Sequence, residues 1–354
     1  MSFTIGDRLV GPEAPTYFVA DLAANHDGDL DRAKELIRLA AKAGADAAKF
    51  QNFTAAKIVS DHGFRALGSQ QSHQATWRKP VFEVYDDASL PWSWTPELKA
   101  TCDEAGIDYF SAPYDFDAID HLEPYVPAYK VGSGDVNWLG AIRRMAAKGK
   151  PVLIATGAAS IGEVQEAVDA AREETDRICL MQCNTNYTGD LDNFRHINLR
   201  VLETYRAMFP DVVLGLSDHT PGLATVLGAV TLGARVVEKH FTDDTSRKGP
   251  DHGFSMTPET WQDMVDATRQ LELALGSADK RVEANEQETA VLQRRCLRAA
   301  RDLQPGERFD AEVVDVLRPA TPGALAPNDL ASLVGRGVRR PMIQGQEITW
   351  SDVD

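Results

Sequence analysis

Cysteine is scarce in this chain of 354 residues, and basic charge falls well short of acidic charge. Cys102, Cys179, Cys183 and Cys296 form no Cys-x-x-Cys pair. That spacing argues against a disulfide framework or a structural zinc site, and for buried or incidental thiols in a reducing compartment. No apolar run approaches the roughly 20 residues that cross a bilayer, so no membrane partner is expected. The first residues lack the basic region and apolar core of a secretory signal, so a cytoplasmic protein is expected. Lys and Arg number 37 against 53 Asp and Glu, a net charge of −16. A surface of that sign repels polyanions, which excludes nucleic acid as an expected partner but leaves room for a local pocket that binds one small anion. There is no internal repeat and no low-complexity segment.

From residue 17 to about 276, short apolar runs alternate with amphipathic stretches, as when parallel strands are separated by helices. Eight such units are legible. The strand candidates are 17–21, 45–50, 108–112, 128–131, 152–155, 178–183, 212–216 and 236–238. Helical periodicity marks 31–42, 95–104, 161–174, 199–208 and 258–275. Eight units point to an α/β fold, a (β/α)8 TIM barrel over residues 1–276, because such a barrel takes about 250 residues. An irregular polar insertion over 61–91 is expected to pack as a loop with short helices over one end. Residues 277–294 are charged and read as a helical linker. Residues 295–354 mix short apolar segments with Pro/Gly turns and read as a small, mostly β domain.

In such a barrel the reacting groups follow the C-terminal ends of the strands. Here those ends are polar: Asp21; Lys49 and Gln51; Ser111; Lys130, Ser133 and Asp135; Thr156; Gln182 through Tyr187; Ser217 and His219; Glu238 and His240. A lysine on an apolar strand is costly without a carboxylate or an anion, and a salt bridge explains one such lysine. Lys49 and Lys130 at one mouth, beside hydroxyls and Gly132 and Gly134, fit a phosphate or carboxylate cradle better. His219 and His240 follow neighbouring strands, so they are either structural or the two ligands of an open Mn²⁺ or Mg²⁺ site. Asp21, Asp135, Glu238 and Asp251 ring the same mouth as candidate bases or lysine partners.

Several of these segments resemble the N-acetylneuraminate (sialic acid) synthase family. They are Asn25-His26-Asp27-Gly28-Asp29-Leu30, Gly44-Ala45-Asp46-Ala47-Ala48-Lys49-Phe50-Gln51, Tyr129-Lys130-Val131-Gly132-Ser133-Gly134, Gly215-Leu216-Ser217-Asp218-His219-Thr220, Glu238-Lys239-His240-Phe241-Thr242 and Gly249-Pro250-Asp251-His252. The tail, with Arg318-Pro319 and Val334-Gly335-Arg336, is similar to the antifreeze-like (SAF) domain of those enzymes. The resemblance implies a barrel plus SAF domain in a domain-swapped homodimer, condensing phosphoenolpyruvate with an acylamino-hexose. It implies that Lys49, Ser111, Lys130, Ser133 and Ser217 hold phosphoenolpyruvate, and that His219 and His240 bind Mn²⁺ or Mg²⁺. Gln51, Tyr187 and Asp251 would contact the open-chain sugar, with Arg318 reaching over from the partner subunit, while Asp21 or Asp135 manages the water proton.

The chain departs from the family in three places. Asp21 and Asp135 stand where the family has Glu, each shorter by roughly 1.5 Å, one carbon–carbon bond. Thr185 stands where an Asn is expected. Two other readings use the same residues. A metal-dependent aldolase or hydrolase would need the histidines but not the paired lysines, and a non-catalytic sugar-binding or ice-binding protein would bind without turnover.

Overall fold

A computed structural model describes residues 1–68, 74, 77–187 and 189–354. The chain divides into two compact units, Met1–Gly276 and Ser277–Asp354.

The first unit begins with an antiparallel hairpin, β1 (Phe3–Ile5) and β2 (Arg8–Val10). Eight parallel strands follow: β3 (Tyr17–Asp21), β4 (Ala47–Asn52), β5 (Asp108–Pro113), β6 (Tyr129–Val131), β7 (Val152–Ala155), β8 (Ile178–Cys183), β9 (Val213–Asp218) and β10 (Ala234–His240). Their ladder runs β5-β4-β3-β10-β9-β8-β7-β6, and β5 lies beside β6, so the sheet is a nearly closed barrel. The strands are apolar on both faces because both are covered. One face packs on the surrounding helices through Phe18, Phe50, Tyr109, Ile154, Leu180 and Val237, among others. The other fills the lumen with Val19, Ala47, Phe110, Leu153, Met181 and Val236, joined by Phe3, Ile5 and Val10 of the hairpin. The hairpin thus occupies the lumen at the N-terminal ends of the strands, a feature that the sequence reading passed over.

Local signals set the helix starts. Asp29 caps the helix Leu30–Lys42 by accepting from the backbone N–H of Asp31 and Arg32, and Ser160 and Glu163 form a capping box ahead of Ile161–Arg172. Pro258–Leu275 starts with Pro at its first position and Thr257 as its cap. The expected insertion contains helices Asp61–Ala66 and Val81–Ala88. With Ala55 and Val59 they gather a satellite core that includes Val81, Phe64, Trp77 and Tyr85.

In the second unit, β11 (Cys296–Ala299) pairs antiparallel with β12 (Val314–Leu317). Leu297, Leu303, Phe309, Val313, Leu333, Val338, Met342 and Ile348 form its own core. The stretch read as a helical linker holds only a 3-10 turn, Ala284–Glu286, and a six-residue helix, Gln287–Leu292, neither with a buried residue. Such short helices lack the apolar face that would extend them. Among the described residues, no helix is long and apolar enough to cross a membrane.

Candidate active site

Alternation along each strand decides which polar groups enter the lumen. At the C-terminal ends of β9 and β10, Ser217, His219, Glu238 and His240 share the inward face, whereas Asp218 and Lys239 face outward, where they pair with each other while buried. Asp218 also accepts from the Thr225 hydroxyl at 2.6 Å and the Thr220 hydroxyl at 2.8 Å, and Lys239 donates to the Thr220 carbonyl at 2.6 Å. That outward pair braces the turn that carries His219.

Inside the lumen, Lys49 Nζ lies 2.6 Å from Asp21 Oδ2 and 3.4 Å from Glu238 Oε1. Lys130 Nζ lies 3.4 Å from the same Glu238 oxygen, and the Ser217 hydroxyl donates to it at 3.4 Å. Both lysines, Asp21 and Glu238 are buried. Burial opposes the charge on Glu238, but the Lys130 and Lys49 ammoniums outweigh it and hold the carboxyl below its usual range. For Asp21 burial wins over Lys49, and its carboxyl is shifted up. Glu238 Oε2 is buried with no hydrogen-bond partner among the described residues. Two buried ammoniums share one incompletely satisfied carboxylate, a polar cluster whose donors suit a further anionic ligand.

Above these groups stand the two histidines, with ring centres 5.4 Å apart. His219 Nδ1 donates to the Asn184 carbonyl at 3.0 Å, so Nε2 is the ring nitrogen left to face a ligand. An anchored Nδ1–H of this kind is the usual support of a metal-binding imidazole. His240 Nε2 lies 3.5 Å from Asp21 Oδ2, and its Nδ1 is buried without a partner among the described residues. Burial first, then the neighbouring His219 and Lys49, push the His240 imidazole well below its usual range, so the ring is neutral. A metal at about 2.1 Å from a ring nitrogen sits about 3.3 Å from the ring centre, so two imidazoles on one ion place their centres roughly 4.7 to 5.4 Å apart. The observed separation fits. Among the described residues there is no cluster of three or more His, Cys, Asp and Glu donors suited to a metal, so such an ion would have two imidazole ligands here.

The remaining candidates are placed as follows. Ser133 accepts from the Gly157 backbone N–H at 3.0 Å. Asp135 ends the 3-10 turn Ser133–Asp135, and burial pushes its carboxyl up to about 6 against the pull of Lys130. Tyr187 packs edge-on to His219, with centres 4.3 Å apart, and Phe254 packs on His240 at 4.8 Å. Asp251 Oδ2 accepts from the Ala24 backbone N–H at 3.1 Å, and burial pushes this carboxyl too up to about 6. Gln51 shares the inward face of β4 with Lys49. Ser111 is not brought to the site: it follows the lumen-facing Phe110, and its hydroxyl donates to Asn52 Oδ1 at 2.6 Å on the outer face. Arg318 belongs to the second unit, where it is exposed.

Sequence reasoning undervalued two groups. All four cysteines are buried free thiols, but Cys183 is not incidental. Burial opposes ionisation on both sides of its contact with His219, yet the contact outweighs burial, lowering the thiol and raising the imidazole. Phe254 was the other; it carries no polar signal, and only packing reveals it as a wall.

The NeuB family matches residues 36–280, and the SAF domain matches residues 294–354. The N,N'-diacetyllegionaminic acid synthase of Legionella pneumophila is 32% identical over 355 residues, covering 99% of this chain and 98% of that protein. The N-acetylneuraminate-9-phosphate synthase of Homo sapiens is 32% identical, covering 94% and 90%. The crystal structure of the Bacillus subtilis spore coat polysaccharide biosynthesis protein spsE superposes with a TM-score of 0.66 at 31% identity, covering 100% and 99% of the two chains. With two thirds of its length matched by the family and the paired histidines and lysines set in one lumen, the chain belongs to the NeuB family.

Proposed function

We propose that the protein is a nonulosonic acid synthase that condenses phosphoenolpyruvate with an acylamino-hexose of the N-acetylmannosamine type and releases phosphate by C–O cleavage. The observation that carries this reading is the pair of buried lysines, Lys49 and Lys130, meeting at Glu238 directly beneath His219 and His240. The relatives' names, acid synthases for legionaminic acid and N-acetylneuraminate 9-phosphate, support it.

Lys49 and Lys130, with the Ser133 and Ser217 hydroxyls, bind the carboxylate and phosphate of phosphoenolpyruvate as charge-assisted donors. Gln51, Tyr187 and Asp251 orient the open-chain sugar above them. Mn²⁺ or Mg²⁺ held by His219 and His240 would supply Lewis-acid polarisation of the aldehyde. The enol C3 attacks the aldehyde carbon as the C2–C3 and aldehyde C–O π bonds open, the aldehyde oxygen takes a proton to become a hydroxyl, and a water oxygen then bonds to the cationic C2. Asp135, whose carboxyl burial pushes up to about 6, takes the water proton, with Asp21 as the second candidate. The C2–O bond to phosphate then breaks, and Lys49 and Lys130 offset the charge on the leaving group. Arg318 contacts the acylamino group from the partner subunit of a domain-swapped homodimer, and the enzyme works in the cytoplasm. The test is phosphate release from phosphoenolpyruvate with a panel of aldoses. Release that depends on an acylamino-hexose supports the reading, and no release with any aldose sinks it.

A further inference from the structure

Two of the motifs that mark this chain, Asn25-His26-Asp27-Gly28 and Gly249-Pro250-Asp251-His252, supply only Asp251 to the chemistry above. In the structure the two meet. His252 is fully buried, and both of its ring nitrogens are engaged: Nδ1 with the Thr242 hydroxyl at 2.7 Å, and Nε2 with Asp27 Oδ1 at 2.9 Å. The other Asp27 oxygen lies 3.1 Å from Arg32 Nε. Arg32 donates to the Asn25 carbonyl at 2.8 Å and grips Asp243 through two bonds of 2.7 and 2.6 Å. Asn25 in turn donates to the Phe241 carbonyl at 2.9 Å and to the Ser255 hydroxyl at 3.0 Å.

We propose that Asp27 and His252 staple the loop after β3 to the loop after β10, and that this staple positions Asp251 and Phe254 in the wall that receives the aldose. The proposal rests on reading Asp251 as an acceptor contact. Its physical basis is the cost of that wall. The Asp251 carboxylate is half-buried and is driven toward water, and among the described residues the Ala24 N–H is the one hydrogen bond its side chain accepts. A loop free to swing out would solvate Asp251 and carry Phe254 away from His240. The staple closes that escape on both sides of the 3-10 turn His252–Phe254, because Ser255 also donates to the Asp251 carbonyl at 2.6 Å. The chain around it is fitted to the contact. A Cβ at Gly249 would lie 2.7 Å from His252 Cδ2, so any other residue pushes the ring off Asp27. Asp27 itself sits at φ 53°, a left-handed conformation that Asn shares readily, so Asp27→Asn weakens the contact without straining the backbone.

The experiment compares wild type, Asp27→Asn, Gly249→Ala, Asp251→Asn and the double variant Asp27→Asn/Asp251→Asn in full-length enzyme. Steady-state kinetics against both substrates are combined with hydrogen exchange over residues 249–255. Asp27→Asn and Gly249→Ala should each raise the KM for the acceptor about tenfold, leave that for phosphoenolpyruvate within about twofold, and deprotect 249–255. Because Asp27 acts through Asp251, adding Asp27→Asn to Asp251→Asn should change the acceptor KM less than about twofold. Equal changes in both KM values, a full second tenfold loss in the double variant, or unchanged exchange would each overturn the staple. If wild type turns over no aldose, the functional reading fails while the exchange measurement still decides the staple by itself.

Discussion

Lys49 and Asp21 meet at 2.6 Å within the lumen, and the side chain of each is only 3% exposed. Removing one partner of such a buried pair strands the other, at a cost of about 3–5 kcal/mol. Lys49→Met should therefore lose stability and also raise the KM for phosphoenolpyruvate at least about tenfold. Adding Asp21→Asn should restore most of the stability and none of the affinity. Chemical denaturation and phosphoenolpyruvate kinetics on the single and double variants separate the two roles. An unchanged KM in Lys49→Met would make the lysine a purely structural partner. Lys130→Met should weaken phosphoenolpyruvate in the same direction.

Exhaustive chelation should abolish turnover, and Mn²⁺ or Mg²⁺ should restore it, because two imidazoles make an open and weak site. His219→Ala and His240→Ala should each remove most turnover, at least about a hundredfold, and abolish metal binding measured by calorimetry. Their melting temperatures should stay near that of wild type. A large loss of stability in both variants with metal binding intact would favour a structural role.

The Asp135 carboxyl, held near 6 by burial, links activity and stability to pH. Its folded value lies above the unfolded one, so its contribution to stability is fully present below about pH 4 and is lost as pH rises through about 6. Asp135→Asn, which mimics the neutral acid, should match wild type near pH 4 and gain about 1–2 kcal/mol at pH 8, allowing for partial screening. The same variant should lose turnover and the acidic limb of the kcat profile. A profile whose limb survives the substitution would remove Asp135 from the proton-handling step.

A swapped dimer makes activity recoverable from two dead parents. Lys130→Met and Arg318→Ala are both expected to be inactive as homodimers, the first at the anion pocket and the second at the acylamino contact. After subunit exchange, one site of each heterodimer combines an intact barrel with an intact tail, so up to about half of the heterodimer sites should work. No recovery, with exchange demonstrated by a mass label, would mean that the tail does not act in trans.

The barrel was legible because its strands are short apolar runs between periodic helices, a signal that survives without any tertiary information. Strand ends were less legible. Apolarity fades at Leu216 and Glu238, yet β9 continues to Asp218 and β10 to His240, since ladder hydrogen bonds are indifferent to side-chain polarity. The histidine pair was readable from its position after neighbouring strands, and the lysines as lone charges on otherwise apolar strands. Ser111 was misread because a strand-end hydroxyl does not declare its face, and alternation from Phe110 sends it outward. The β1–β2 hairpin was overlooked although Phe3, Ile5 and Val10 flank a Gly6 turn at φ 53°, because three-residue strands fall below the length at which alternation is distinctive.

That hairpin gives the lumen a floor, and a floored well imposes a queue. A ligand seated on Lys49 and Lys130 must arrive before anything that rests on Tyr187 and Asp251, and it cannot depart until the upper place is vacated. Initial-rate kinetics should therefore be ordered, with phosphoenolpyruvate first, and an unreactive alditol analogue of the sugar should inhibit uncompetitively against it. Mixed or noncompetitive inhibition by that analogue would show that both places are open to solvent at once.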